Sequence, residues 1–380
     1  MMEAPALPRI DPAATSVAAA PRRVLMLGTN PDMRGGVASV VATLRDAGLF
    51  ERCGVEFVST HVDGTRGAKV RQFVDAWRRT LRALRSRRFG LVHAHVSSRG
   101  SFWRKAMLLW LARRFGVSTI FHLHDGTFAE FAATGFGGPL LRWCIRRTLE
   151  SSTAVVALAP RWGEWVAQFA PRSRVSVIGN PVKCPDSVAR PRGDSNATQR
   201  ILFLGKVCRE KGVFDLLDAF AVFAKTHPDW RLAIGGHGEI DEWLARAETL
   251  GVRSRVDSLG WVSGARKDDE LRRADVFVLP SYGEGMPVSV LEAMAFGAAV
   301  ITTPVGGVPD MMRPDVHGLW FEPGDVPALT RCLQQLADSP QRRLELGDAA
   351  RRHVLERYSV PIVIAQLCEV YDRALAGRGR

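Results

Sequence analysis

Short, continuously apolar runs alternate with stretches of helical periodicity along nearly all of this sequence, and that alternation admits few folds. Residues 23–27, 91–96, 118–123, 154–158 and 175–178 read as strands. They are apolar with little polar alternation, as expected of strands buried on both faces, and helical patterns lie between them. This is the grammar of a parallel sheet covered by helices. A second series follows at 200–204, 231–235, 256–259, 276–279 and 299–302. Between the two series lies a polar, proline-containing stretch, 184–199, which reads as a linker. A chain of 380 residues also exceeds the size at which one core keeps growing. The expectation is therefore an α/β protein of two Rossmann-like domains, 22–183 and 200–360, with its ligand site in the cleft between them. No period of 20 to 50 residues recurs, so any duplication is of fold and not of repeats.

The ends and the composition restrict the setting. Residues 1–21 are rich in Ala and Pro, carry Glu3 and Asp11, and read as a disordered tail without the apolar core of a signal peptide. The six cysteines are scattered without a zinc-type spacing, which suits a reducing compartment. No apolar run is long enough to span a bilayer. The formal charge is +13, which favours an anionic partner. Between Arg66 and Phe115 there are fourteen Lys or Arg against the single acid Asp75. There Val70, Phe73, Val74, Trp77, Leu81 and Leu84 recur at helical spacing with Arg71, Arg78, Arg79, Arg82 and Arg85 between them. This basic amphipathic helix reads either as a core-packing helix with a solvated face or as a surface for anionic lipid. Phe102, Trp103 and Met107 to Leu111 exceed what one helix face needs and favour the lipid reading.

Local motifs point to a nucleotide diphosphate. The first strand runs into Gly28 and then Gly35 and Gly36 before a helix, a layout that brings backbone close to phosphate. Residues 280–310 read PSYGEGMPVSVLEAMAFGAAVITTPVGGVPD. A helix beginning near Pro287 turns Glu284 and Glu292 toward one side of the cleft, and the amides of Gly285 and Met286 face an anion at its N-terminus. Taken alone, the two carboxylates are equally a helix cap and an exposed side chain. His93 and His95 lie two apart on one strand, His122 and His124 on another. Strand histidines so spaced are more often packing residues than zinc ligands, and no DxD motif occurs, so no metal is expected.

The 280–310 segment, with Glu284-Gly285-Met286-Pro287 and the strand GAAVI at 297–301, resembles the signature of the retaining GT-B glycosyltransferases of family 4, or glycosyl transferases group 1. The likeness runs from residue 23 onward through Gly35-Gly36, His124-Asp125, FLGKVCREKG from Phe203 and GGHGE at 235–239. It implies a GT-B fold with two parallel sheets facing a cleft, and a last helix, 361–380, crossing back to the first domain. It implies that Lys206 and Lys211 bind the donor diphosphate, Lys206 standing where the family more often has arginine. It further implies that Glu284 and His124 approach the transferred sugar, Glu292 the ribose, and Gly260, Trp261 and Val262 the base. The stretches 95–105 and 121–128 resemble the subgroup that assembles bacterial exopolysaccharide. The resemblance is strongest to α-mannosyltransferases that carry mannose from GDP-mannose to a cellobiosyl-diphosphopolyprenol. That likeness implies a nucleotide-sugar donor as co-substrate with no cofactor, a polyprenyl-diphosphate oligosaccharide acceptor, and a peripheral place on the anionic inner face of the plasma membrane. UDP-sugars remain open as donors. A nucleotide-sugar isomerase asks for cleft acids that no motif supplies. A nucleic-acid-binding protein explains the charge but not the acids or glycine turns, so nucleic acid is not expected as a partner, and a dinucleotide oxidoreductase lacks GxGxxG.

Overall fold

The computed structural model describes residues 23–33, 35–187 and 199–377. The tail reading and most of the linker reading lie outside them. In the first domain β1 (Val24–Gly28) leads into α1 (Gly36–Asp46), α2 (Leu49–Cys53) and β2 (Glu56–Ser59). After α3 (Arg66–Arg85) come β3 (Leu91–Val96), α4 (Gly100–Arg114) and β4 (Ser118–Leu123). The domain continues through α5 (Phe128–Thr134), α6 (Gly138–Glu150), β5 (Ala154–Ala157), α7 (Pro160–Phe169) and β6 (Val175–Val177). All neighbours pair in parallel, in the order β2-β1-β3-β4-β5-β6. One layer, α3 to α7, packs on one face around Phe102, Phe121 and Phe128. Helices α1 and α2 pack on the other with the C-terminal helix described below.

The second domain begins with β7 (Gln199–Leu204), α8 (Val213–Phe223), β8 (Trp230–Gly235), α9 (Ile240–Thr249) and β9 (Val256–Gly260). It continues through α10 (Gly264–Arg273), β10 (Val276–Leu279), α11 (Val288–Ala295), β11 (Ala299–Thr302), α12 (Val308–Met311) and β12 (Leu319–Trp320). Helices α13 (Val326–Asp338), α14 (Pro340–Arg357) and α15 (Val360–Ala376) close the chain. The sheet order is β12-β11-β10-β7-β8-β9, again parallel. Helix α15 lies against β3 and β4 of the first sheet, where the Ser118 hydroxyl donates to Ala374 O at 2.8 Å. Among the described residues no helix is long and apolar enough to cross a membrane.

Two strands had no counterpart in the sequence reading. β2 and β12 are edge strands of four and two residues; β2 begins with Glu56 and ends with Ser59, and β12 is too short to form a run. The stripe read on α3 is divided between core and surface. Ala76, Thr80, Ala83 and Leu84 are buried and Phe73, Trp77 and Leu81 partly so, while Val70 and Val74 stand in solvent. The surplus on α4 resolves likewise. Phe102, Leu108, Leu109 and Leu111 go to the core, whereas Trp103, Met107 and Trp110, spaced four and three apart, form an exposed stripe.

Candidate active site

In a parallel α/β sheet the loops at the carboxyl ends of the strands line the ligand crevice, and here two such ends face each other across a cavity of about 700 Å³. Its walls include Gly35, Gly36 and His124 from the first domain. The second contributes Lys206, Lys211, Trp261, Val262, Glu284, Gly285, Met286 and Glu292. Eleven of the twelve residues named from the sequence therefore meet in one place. The twelfth, Gly260, is not in the wall; it ends β9, and its carbonyl accepts a hydrogen bond from Gly236 N at 2.8 Å.

Close backbone contact holds the loop carrying Glu284. A Cβ at Gly126 would lie 2.4 Å from Glu284 O, and one at Gly306, where φ is +56°, would lie 1.6 Å from the same atom. The 284–285 backbone is thus clasped between a first-domain turn and a second-domain turn that accept no side chain. Gly307 N donates to Gly285 O at 2.8 Å. From the first domain, Asn180 Nδ2 donates to Met286 O at 2.9 Å. Arg161 at the start of α7 donates to Asp310 Oδ2 and Gly306 O, both at 2.6 Å. Asn180 and Arg161 had no signal in the sequence, since their partners lie more than a hundred residues away.

Lys211 Nζ donates to Glu284 Oε1 at 2.6 Å, and the two side chains are largely withdrawn from water. Lys206 is exposed to the cleft and makes no ion pair among the described residues. Glu292 on α11 is paired with Lys267 of α10 at 2.5 Å. Its burial pushes the carboxyl above the ordinary glutamate range, against the pull of Lys267. Lys267, on a charge-rich surface helix, is a wall residue that the sequence reading passed over. α11 begins after Pro287 with no side-chain cap, leaving its first amides available to a ligand.

His124 closes the first-domain side. Its Nε2 lies 2.7 Å from His95 Nδ1. Behind it His93 Nε2 meets His122 Nδ1 at 3.1 Å, and His93 Nδ1 meets the Tyr371 hydroxyl of α15 at 2.7 Å. Ring nitrogens of His93, His95 and His122 lie within 4.8 Å of one another, so the strand histidines do converge, and hydrogen bonds join them in pairs. Burial pushes His93 and His124 down to about 3 and His95 and His122 well below the ordinary value. At neutral pH all four rings are uncharged.

Two Rossmann-like parallel sheets facing each other across a cleft define the GT-B class of glycosyltransferase fold. Solved structures agree: sucrose-phosphate synthase of Thermosynechococcus elongatus superposes with TM-score 0.77 at 18% identity, covering 94% of this chain and 100% of that one. Anabaena HepE in complex with UDP and glucose gives 0.69 at 19%, covering 92% and 99%. Residues 18–181 match the family model "Glycosyl transferase 4-like domain", and 190–353 match "Glycosyl transferases group 1". Each half of the chain is therefore similar to a glycosyltransferase domain. Among curated relatives, an uncharacterized glycosyltransferase of Methanocaldococcus jannaschii is 30% identical over 50% of this chain and 49% of its own length, so the chain matches about half of that relative. The phosphatidyl-myo-inositol mannosyltransferase of Mycobacterium tuberculosis is 29% identical over 71% of this chain and 77% of its own.

Proposed function

We propose that this protein is a retaining hexosyltransferase that moves α-mannose from GDP-mannose onto a polyprenyl-diphosphate-linked oligosaccharide in exopolysaccharide assembly. The observation that carries the reading is the Lys211–Glu284 pair at 2.6 Å, with Lys206 beside it in the cleft. A donor diphosphate entering there competes for Lys211 and frees the Glu284 carboxylate to accept hydroxyl hydrogens of the sugar. Both lysines and the first amides of α11 then neutralise the departing diphosphate without a metal, by preorganised electrostatics.

The anomeric carbon loses its bond to the phosphate oxygen and gains one to the acceptor oxygen on the same face, and the acceptor proton goes to the departing phosphate. His124, neutral at working pH, serves as a hydrogen-bonding partner of the sugar and not as a charged acid. The outer layer of the first domain supports this acceptor and setting. The exposed stripe of α4, Leu140 and Trp143 on α6, and Phe136 just before it stand among arginines, as suits the anionic cytoplasmic face of a plasma membrane.

A UDP-sugar donor is the second reading, favoured by the UDP bound in HepE. A thermal-shift panel of GDP, UDP and ADP with their sugar conjugates separates the two, because a ligand of the native state raises stability by mass action. A selective shift with GDP and GDP-mannose that persists in EDTA is the expected result. A shift confined to uridine nucleotides moves the assignment to the second reading, and no shift with any nucleotide overturns both.

A further inference from the structure

Behind the first-domain side of the cleft lie two neighbouring cations, Arg104 and Lys105, that make no ion pair among the described residues. Lys105 on α4 is only 2% exposed, and its ammonium, with three hydrogens to give, makes one hydrogen bond, to Ser101 Oγ at 2.8 Å. Next to it Arg104 has a buried Nε without a partner and makes no ion pair among the described residues. The charge most strongly felt at Lys105 is the arginine's, and burial together with that neighbour pushes the ammonium down to about 7.

Arg104, Lys105 and Lys69 also act together on His61, whose Nδ1 is buried and unpartnered. The acids nearby do not compensate. Asp63 stands in solvent, 3.6 Å from His61 Nε2, and Asp125 is engaged by Ser98 N at 2.8 Å and Thr127 N at 2.9 Å. A buried cation without a counter-charge is unfavourable, and an anion from outside the chain would supply that counter-charge.

Three further features suit a phosphate. Ser101 Oγ accepts from both Lys105 Nζ and Ser97 N, which leaves its hydroxyl hydrogen to donate. α4, fifteen residues long, begins beside it without a side-chain cap, so its dipole favours negative charge. Ser97, which donates to Ser101 Oγ, directly follows β3, and His95 on that strand lies 2.7 Å from His124 of the cavity wall, so the cluster sits behind the first-domain side of the cleft. The same helix presents Trp103, Met107 and Trp110 to solvent on its outer side.

We propose that Arg104 and Lys105, with Ser101, form an anion subsite of the first domain that holds the diphosphate of a prenyl diphosphate ester, the phosphate-bearing part of the acceptor. The subsite rests on the acceptor reading above, yet its residues are separate from the donor lysines Lys206 and Lys211. Arg104 offers a planar fork to phosphate oxygens and Lys105 a point charge behind it.

The test is calorimetric titration of geranyl diphosphate into the full chain, with the donor site filled by the nucleotide diphosphate that shifts melting most. The wild type binds, and Arg104→Gln and Lys105→Met each weaken binding at least tenfold while the nucleotide shift keeps its size. Lys105→Met melts no lower than the wild type, because it removes a buried unpaired charge, so lost binding is not lost fold. Three results overturn the proposal: equal affinity in the variants, no binding by a wild type that responds to nucleotide, or variants that lose only their binding to phosphatidylglycerol vesicles. Absence of any nucleotide shift is a different failure, that of the donor reading, and leaves the geranyl diphosphate titration to decide the subsite by itself.

Discussion

The two domains share a doubly wound architecture but treat charge in opposite ways. Between residues 23 and 187 there are 25 Lys and Arg against 11 Asp and Glu; between 199 and 377 there are 21 against 25. The second domain pairs what it has. Arg200 with Glu270, Arg231 with Asp257, Arg246 with Asp218, Lys211 with Glu284 and Lys267 with Glu292 all lie within 2.8 Å. In the first domain the ion pairs, such as Arg45 with Asp32 and Arg88 with Glu56, are longer and more exposed, and Arg104 and Lys105 have none among the described residues. Its large exposed apolar side chains gather on α3, α4 and α6 and around Phe136. One domain is internally neutralised and suits a soluble, charged donor held by specific pairs. Its partner leaves cationic and apolar surface uncompensated, which is the ground for the proposed contact with anionic lipid.

The most direct way to break this comparison is to remove arginines from each side. Arg71, Arg78 and Arg82 lie on the exposed face of α3; Arg79 is left in place because it donates to Phe57 O at 3.2 Å. Near an anionic surface each arginine contributes about 1 kcal/mol, so the triple alanine variant loses roughly a hundredfold in affinity for phosphatidylglycerol vesicles in a sedimentation assay. The matched variant lacking the exposed Arg273, Arg331 and Arg352 of the second domain keeps its binding. Equal losses from the two triples would mean that net charge, and not the first-domain face, governs vesicle binding.

Acid sharpens the comparison from within. His93 and His124 are held at about 3 by burial, below the unfolded value near 6.5. The unfolded chain therefore takes up protons that the folded one refuses as pH falls from 6.5 toward 3, and stability declines across that window. Each ring costs about 1.4 kcal/mol by pH 5.5. Hydrogen exchange at pH 5.5 should show protection lost first on β3 and β4 while β10 and β11, without histidines, keep theirs. Uniform loss over both sheets would show that the histidine layer does not set the acid limit.

Sequence alone carried the central strands because their residues are buried on both faces, as those of β3 and β4 are throughout. β2, reading EFVS, and β12, only two residues long, escaped because neither offers a continuous apolar run, whereas the other edge strands, β6 and β9, were read. Eleven of the wall residues were legible because local motifs bring phosphate-facing backbone and acids to strand ends, whatever the rest of the chain does. The pairings were not legible. That Glu284 meets Lys211, Glu292 meets Lys267 and Asn180 braces Met286 depends on how separate strand ends face each other, which no local pattern encodes. The histidines could be read as strand neighbours, but their chain of contacts to Tyr371 required the return of α15 to the first sheet.

The finest probe of the comparison is a single carboxylate of the neutralised domain. If Glu284 serves chiefly to hold Lys211, then Glu284→Gln behaves as a broken, partly buried ion pair, and melting temperature falls together with activity. If the pair is a resting state that donor binding opens, the variant loses a charge-assisted hydrogen bond to the sugar, worth about 1.5 to 3 kcal/mol, and turnover drops about ten- to a hundredfold. Nucleotide diphosphate then binds as well as before or better, because Lys211 no longer has to leave a carboxylate to reach it. Melting with bound nucleotide stays near the wild-type value, since the diphosphate replaces the missing counter-charge. A parallel loss of melting temperature and turnover in the nucleotide complex would assign Glu284 to the scaffold, and the internal pairing of the second domain would then be structural with no part in the reaction.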